Sequence, residues 1–264
     1  MTRPSTAGAA PGPDKDPAKI AGMFDAIAPR YDLLNHVPSG GADWYWRARA
    51  VRHLGLTGHD TVLDLCTGTT DLAAAAAGGR RPGARRVVGI DFSGEMLRIG
   101  QRKLRHAGLG GRVPLVRGDA VRLPLREASV DAAMIAFGIR NVADPSAACR
   151  ELWRVVRPSG RLAVLEFGMP EAPLLKTTYR WYFRAVLPRL GRLVSRHRDA
   201  YTYLPESVGA FFPPDGFTRM LQEAGFVDVR AVRLTFGIVY LYTAVRSRAA
   251  GPDLPPTGKM GSTR

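Results

Sequence analysis

The chain reads as an α/β protein: a mostly parallel seven-stranded sheet with helices on both faces and a terminal antiparallel hairpin. Three observations predict this. Strand-length apolar runs alternate with helix-length segments from Thr61 to Glu166, which implies successive βαβ units and a sheet covered on both sides. The 264 residues are 45% hydrophobic, enough for the core of one large domain. The last two apolar runs, Val227 to Leu234 and Ile238 to Val245, are separated only by Thr235-Phe236-Gly237, a hairpin turn.

The elements follow in order. Lys19 to Tyr31 places Ile20, Met23, Phe24 and Ile27 on one helical face, and Trp44 to Leu54 reads as a second helix. Thr61 to Leu65 is the first strand, followed from Thr70 by an alanine-rich helix of high propensity. Arg86 to Ile90 is the second strand, ending in Asp91. Ser93 caps a helix to Ala107. Arg112 to Arg117 is the third strand and Val130 to Ala136 the fourth. A helix over Pro145 to Val156 is ended by the turn Pro158-Ser159-Gly160, and Arg161 to Glu166 is the fifth strand. A mostly helical insertion over about 168–214 and a helix near Asp215 to Ala224 precede the hairpin. Residues 1–18 and 247–264 are rich in Pro, Ala, Gly and small polar residues and read as disordered tails. The single domain then spans 19–246.

Composition removes several classes. No segment approaches the roughly 18 apolar residues of a spanning helix. Residues 1–18 have no apolar h-region, so they are not a secretory signal. Two cysteines, Cys66 and Cys149, cannot build a disulfide framework or a four-cysteine zinc site. The five histidines are scattered without ligand spacing, and no metal is expected. The net charge of +15 permits attraction to nucleic acid or to an anionic membrane.

Ligands of an open parallel sheet bind beyond the carboxyl ends of its strands. Three acids fall at such ends: Asp64, Asp91 and Asp119. After Asp64 comes Cys66-Thr67-Gly68-Thr69-Thr70-Asp71, a small-residue loop entering a helix, where Gly68 permits a tight turn and close approach. Asp91 is placed to accept two hydrogen bonds from a ribose diol. Asp119, with the Ala120 amide, can read an adenine edge. Together they describe an adenosine pocket. The loop lacks the glycines of a dinucleotide fingerprint, and the acids at Asp64 and Asp71 suit a cationic ligand better than a pyrophosphate. S-adenosylmethionine, with its ammonium and sulfonium, fits, and the chemistry leans to methyl transfer.

Longer motifs add to this. Phe24 precedes Ile27-Ala28-Pro29-Arg30-Tyr31-Asp32 and Asn35. Val62-Leu63-Asp64-Leu65 leads to Gly68-Thr69, and Phe137-Gly138-Ile139-Arg140-Asn141-Val142 follows the fourth strand. Leu162 to Phe167 precedes Tyr201, Tyr203-Leu204 and Glu206-Ser207. From about Lys19 to Arg246 the chain resembles the menaquinone/ubiquinone-biosynthesis C-methyltransferases, the UbiE/MenG family. The resemblance implies a Rossmann-like S-adenosylmethionine-dependent methyltransferase fold and S-adenosylmethionine binding at Thr69, Asp91, Asp119 and Ala120. It implies methylation of a ring carbon of a prenylated quinol, demethylmenaquinol to menaquinol. Three positions depart from the family pattern: Thr70 and Ser159 stand where glycine is common, and Ala136 where a polar residue often precedes Phe-Gly.

In that reaction a ring carbon beside a phenolate oxygen attacks the sulfonium methyl in line. The sequence offers Arg140 to hold the phenolate and Asn141 to orient a water or the quinol oxygen. Tyr31 and Asp32 are expected to close over sulfonium and quinol, with Tyr201 and Glu206 shaping the far side. Tyr203 and Phe137 read as core. Residues 176–198 carry seven Lys or Arg, no acid and four aromatic residues, which suits an anionic membrane surface. Expected partners are thus the prenylated quinol, an anionic membrane through 176–198, and a second copy of the chain. Nucleic acid is not among them, because the basic residues are otherwise dispersed. The expected location is cytoplasmic, at the inner face of the membrane. Competing readings are a methyltransferase for a ubiquinone precursor or a soluble phenol, a nicotinamide dehydrogenase, and a nucleic-acid binder.

Overall fold

The computed structural model describes residues 16–78, 82–170, 177 and 199–248. Seven strands form one sheet: β1 (Thr61–Leu65), β2 (Arg86–Asp91), β3 (Leu115–Arg117), β4 (Val130–Ala136), β5 (Val156–Phe167), β6 (Phe226–Leu234) and β7 (Val239–Arg246). Their order is β3-β2-β1-β4-β5-β7-β6. Strands β1 to β5 run parallel, and β7 lies antiparallel between β5 and β6. The helices are α1 (Pro17–Ile27), α2 (Tyr31–Ser39), α3 (Ala42–His53), α4 (Asp71–Gly78), α5 (Gly94–His106), α6 (Pro145–Val155), α7 (Asp199–Ala210) and α8 (Pro214–Glu223). None among the described residues is long and apolar enough to cross a membrane.

Alternate residues of each central strand feed opposite cores. Leu63, Leu65, Ala133, Ile135, Leu162 and Val164 pack with Leu152 and Trp153 of α6 and Phe217 of α8. Their neighbours Val62, Ala132, Met134, Ala163 and Leu165 pack with Trp46 of α3, Leu72 of α4 and Leu104 of α5. Both sets are buried, so the strands read as near-continuous apolar runs rather than alternating ones. The helix caps follow simple chemistry. Ser93 accepts from the Met96 amide, and Asp144 accepts from the Ala147 amide with Pro145 at the first helical position.

Four of the differences from the sequence reading have a plain physical reason. The first helix begins at Pro17, capped by Asp16, inside the region read as a tail. It does not continue to Tyr31, because Pro29 lacks an N–H, and Ala28–Arg30 tightens into a 3-10 turn before α2. Strand β3 begins at Leu115 rather than Arg112, since Pro114 cannot donate to a ladder. Pro158-Ser159-Gly160 is not a turn between elements. It is absorbed into β5 as an irregularity, with Val130 facing Val156 and Ala132 facing Arg161 and Ser159 at φ +63°. The turn Thr235–Gly237 and the hairpin it joins are as read. The basic stretch 176–198 lies outside the described residues apart from Thr177.

Candidate functional site

The carboxyl ends of β1 to β4 open into one cleft. Its floor is the loop after β1, where Cys66, Gly68 and Thr70 all have positive φ. Gly68, at +53°, faces the Tyr31 ring, whose Cε1 would lie 3.7 Å from an added Cβ. Asp91 is the polar centre of the cleft wall. One carboxylate oxygen accepts from the Gly68 amide at 2.8 Å, the other from the Ser93 amide at 2.9 Å. Burial raises its pKa against the pull of those amides. Asp119 lies in the same wall beside buried Ala120, with one oxygen taken by the Val121 amide at 3.1 Å. Gly68, Asp91, Asp119 and Ala120 are therefore brought together as the sequence reading expects.

Asp64 and Thr69 take different places. Neither lines the cleft. Asp64 is buried beneath the loop and accepts from the Thr67 hydroxyl at 2.5 Å, leaving its Oδ1 without a hydrogen-bond partner. Burial pushes its pKa up to about 7, opposed by the Thr67 hydroxyl and reinforced by the charge of Asp91. Thr69 donates to Asp32 at 2.5 Å, and Lys103 bridges Asp32 at 2.7 Å and Asp71 at 2.5 Å. Asp32 thus ties α2 to the loop and to α5 from outside the cleft. Asp71, read as suited to a cationic ligand, is likewise paired with Lys103.

The wall opposite the strand ends is apolar. Ile20, Ala21 and Phe24 of α1, Tyr31 of α2 and Met96 of α5 form it. Helix α1 is held there by Asp25, which accepts from the Ser93 hydroxyl at 2.5 Å and the Glu95 amide at 3.3 Å. At the β4 end stand Ala136, Phe137, Gly138 and Asn141. The Asn141 side-chain oxygen accepts from the Tyr203 hydroxyl at 3.0 Å. Tyr203, read as core from the sequence, is half-buried and, among the described residues, touches the cleft only through this bond. Phe137 belongs to both: it lines the cleft, stacks on Phe167 at 4.4 Å and meets Trp46 edge-on at 5.9 Å.

Arg140 is the main departure. It is buried and does not line the cleft. Its guanidinium bonds to Glu166 at 2.8 Å and to the Phe137 carbonyl, and it lies over the Phe167 ring at 5.3 Å. Its Nε is 3.4 Å from the Ser207 hydroxyl. The geometry turns its charge into the fold and away from the cleft. Glu206 is exposed on α7, outside the cleft wall, and the Tyr201 side chain lies outside those described. The sequence reading also missed Lys103 and Glu166. Glu166 had one signal: a carboxylate ending an otherwise apolar strand needs a buried cation.

The cleft passes a chemical test for S-adenosylmethionine. A carboxylate aimed by two amides suits a ribose diol, and Asp119 and Ala120 suit an adenine edge. Comparisons agree. The family model "ubiE/COQ5 methyltransferase family" matches residues 14–246. A ubiquinone/menaquinone biosynthesis C-methyltransferase UbiE of Syntrophotalea carbinolica is 48% identical over 90% of this chain and 96% of its own. A demethylmenaquinone methyltransferase of Thermus thermophilus is 48% identical over 85% of this chain and 100% of its own. One from Mycobacterium sp. (strain KMS) is 43% identical over 88% and 96%. Among solved structures, a phosphoethanolamine N-methyltransferase of Haemonchus contortus in complex with S-adenosylhomocysteine shares the fold. Its TM-score is 0.64 at 15% identity, covering 89% of this chain and 60% of that one. An S-adenosylmethionine-dependent methyltransferase of Thermotoga maritima does so with a TM-score of 0.61 at 17% identity, over 86% and 100%. With its sheet order, its carboxylate-lined cleft and these relatives, the chain belongs to the ubiE/COQ5 methyltransferase family of S-adenosylmethionine-dependent enzymes.

Proposed function

We propose that this methyltransferase methylates a ring carbon of demethylmenaquinol to give menaquinol, and that its own residues bind and orient rather than exchange protons. The observation that carries this is the two-sided cleft. Carboxylates and amides line the ends of β1 to β3, the Asn141 amide stands at the β4 end, and an apolar wall faces them. S-adenosylmethionine supplies a methyl group already activated on a sulfonium. Asp91 holds the ribose diol, and Asp119 with the Ala120 amide reads the adenine. Tyr31, packed edge-on to Phe24 at 6.1 Å, closes the floor over Gly68.

Asn141 is the residue that faces the quinol oxygen. Tyr203 occupies its acceptor oxygen and its amide nitrogen lies 3.5 Å from the Phe137 carbonyl, which leaves one N–H donor suited to an oxygen gaining negative charge. Arg140 acts through Asn141: it grips the Phe137 carbonyl and Glu166 and fixes the turn that carries the amide. A water takes the ring proton. Residues 168–214 cover the substrate, and 176–198 meet an anionic membrane, where a prenyl tail resides. The enzyme works on the cytoplasmic face of that membrane. The demethylmenaquinone names of the Thermus and Mycobacterium relatives favour the naphthoquinol ring over the benzoquinol.

The test is transfer of a labelled methyl from S-adenosylmethionine to reduced demethylmenaquinone in anionic liposomes, with a ubiquinol precursor alongside. Label on the naphthoquinol is expected. Label on neither, with the donor still bound, overturns the quinol assignment in favour of a soluble phenol. Asn141→Leu should lower kcat about a hundredfold with donor affinity unchanged.

A further inference from the structure

The strand-carboxyl end of the molecule carries exposed aromatic residues. Trp44 is 56% exposed, Tyr45 54% and Phe236 77%. They belong to one region. Trp46, between them in sequence, donates its indole N–H to the Thr235 hydroxyl at 2.8 Å, which joins the start of α3 to the β6–β7 turn. The same Trp46 ring packs on Phe137 of the cleft wall. Exposed Leu33 of α2 sits one turn from His36, whose ring stacks on Trp44 at 5.0 Å.

Phe236 is the most informative of these. Its backbone has φ +56°, a conformation that costs an aromatic residue energy and that glycine would adopt freely. Thr235 shares the strain at +43° but is held by Trp46. Phe236 makes no ring contact among the described residues. A strained side chain left in solvent contributes nothing to the fold, so a role outside it accounts for its presence.

The adjoining charge has one sign. Along α3, Tyr45 and Arg52 are exposed and Arg49 between them is half-buried, at spacings of four and three residues. Neither arginine is in an ion pair among the described residues. The sole acid of α3, Asp43, is buried and bonded to Arg47 and His36. His53, beside them, is held below its ordinary pKa by burial and then by the charges of Arg49 and Arg52. Aromatic residues at one end of a helix and unneutralised arginines towards the other suit the headgroup layer of a bilayer.

We propose that Trp44, Tyr45 and Phe236, flanked by Arg49 and Arg52, form a docking surface for an anionic lipid bilayer. The inference deepens the quinol reading and rests on it, since a prenylated substrate must be drawn from the membrane. The surface lies at the strand-carboxyl end, so docking brings the cleft to its lipid source.

The test uses the full chain and vesicles of phosphatidylcholine with or without phosphatidylglycerol. Co-sedimentation should favour the anionic vesicles. Phe236→Gly should weaken that binding roughly tenfold or more, from the apolar area lost. The same variant should melt no lower than the parent, because glycine relieves the left-handed strain. Arg52→Glu should weaken binding about fivefold or more. Turnover of a short-chain, detergent-soluble quinol should be unchanged in both variants. Lower melting of Phe236→Gly would mark a packing residue and overturn the proposal. So would unaltered vesicle binding in both variants, or equal binding to neutral vesicles. A change of oligomeric state in either variant would make the surface a contact between copies and also overturn it. Loss of docking with methyl transfer intact leaves the quinol assignment standing. Absence of methyl transfer to any quinol sinks that assignment alone.

Discussion

Thr70 shows how one residue reshapes its neighbours. It is fully buried at φ +72°, where a β-branched side chain is disfavoured. Its hydroxyl bonds the Thr69 carbonyl at 2.6 Å, and its methyl fills the space left by Gly100 of α5. A Cβ at Gly100 would lie 2.5 Å from that methyl carbon. Gly100→Ala should therefore destabilise by about 1–3 kcal/mol. Combined with Thr70→Gly, most of the penalty should vanish, giving a coupling of about 1 kcal/mol or more in a denaturant double-mutant cycle. Additive effects would contradict the packing argument. Asp64 makes a second residue-scale prediction. Its pKa is near 3.8 when unfolded and about 7 when folded. Between those values the folded state holds the proton and the unfolded state does not, so stability falls as pH rises from about 4 to about 7. Asp91 is shifted the same way. Asp43 and Asp60 are shifted down, so their contributions fall away only below about pH 4. Asp64→Asn should flatten the slope of urea midpoint against pH in the upper window.

Elements hold the cleft together through a few cross-links. Strands β4 and β5 are paired in register, with Ala136 beside Leu165, and just beyond that pair Arg140 meets Glu166. Both side chains are buried. Glu166→Ala would leave the guanidinium without its carboxylate and should cost about 3–5 kcal/mol. Arg140→Met added to it should recover much of the loss. If the single variant unfolds at the parent's denaturant midpoint, the pair does not bind the two strand ends. This cross-link also explains what the sequence could show. Motif spacing placed Asp91, Asp119, Gly68 and Asn141 at strand ends, because strand direction and connection length decide that. It could not show where Arg140 aims, since Glu166 is far along the chain and becomes a neighbour only through strand order. The same limit hid Lys103, whose two acids come from α2 and α4. Helix α2 was missed for a local reason: the proline at 29 ends one helix, and the residues after it give no strong helical pattern.

At the scale of the molecule, the cleft is built by four strand ends and closed by α1, so ligand binding is felt by the whole fold. S-adenosylmethionine at a hundred times its Kd should raise stability by about 2.7 kcal/mol. Asp91→Ala should abolish the accompanying rise in Tm while the unliganded protein still melts in one transition. An undiminished rise would place the ribose elsewhere. The sheet order was legible only in part. Alternation announced five parallel strands and the hairpin, but nothing local said that the last strand, rather than the sixth, lies against the fifth.

That placement of β7 has a consequence for biosynthesis. Strand β7, the last of those described, is interior to the sheet, paired with β5 along one side and β6 along the other. While a ribosome still holds residues 239–246 in its exit tunnel, β5 has an open edge and β6 has no neighbour to join. The nascent chain is then a half-sheet with apolar strand edges bare. Completion waits until β7 has left the tunnel, and a stop codon near Phe236 should give an insoluble product, whereas one after Arg248 should not.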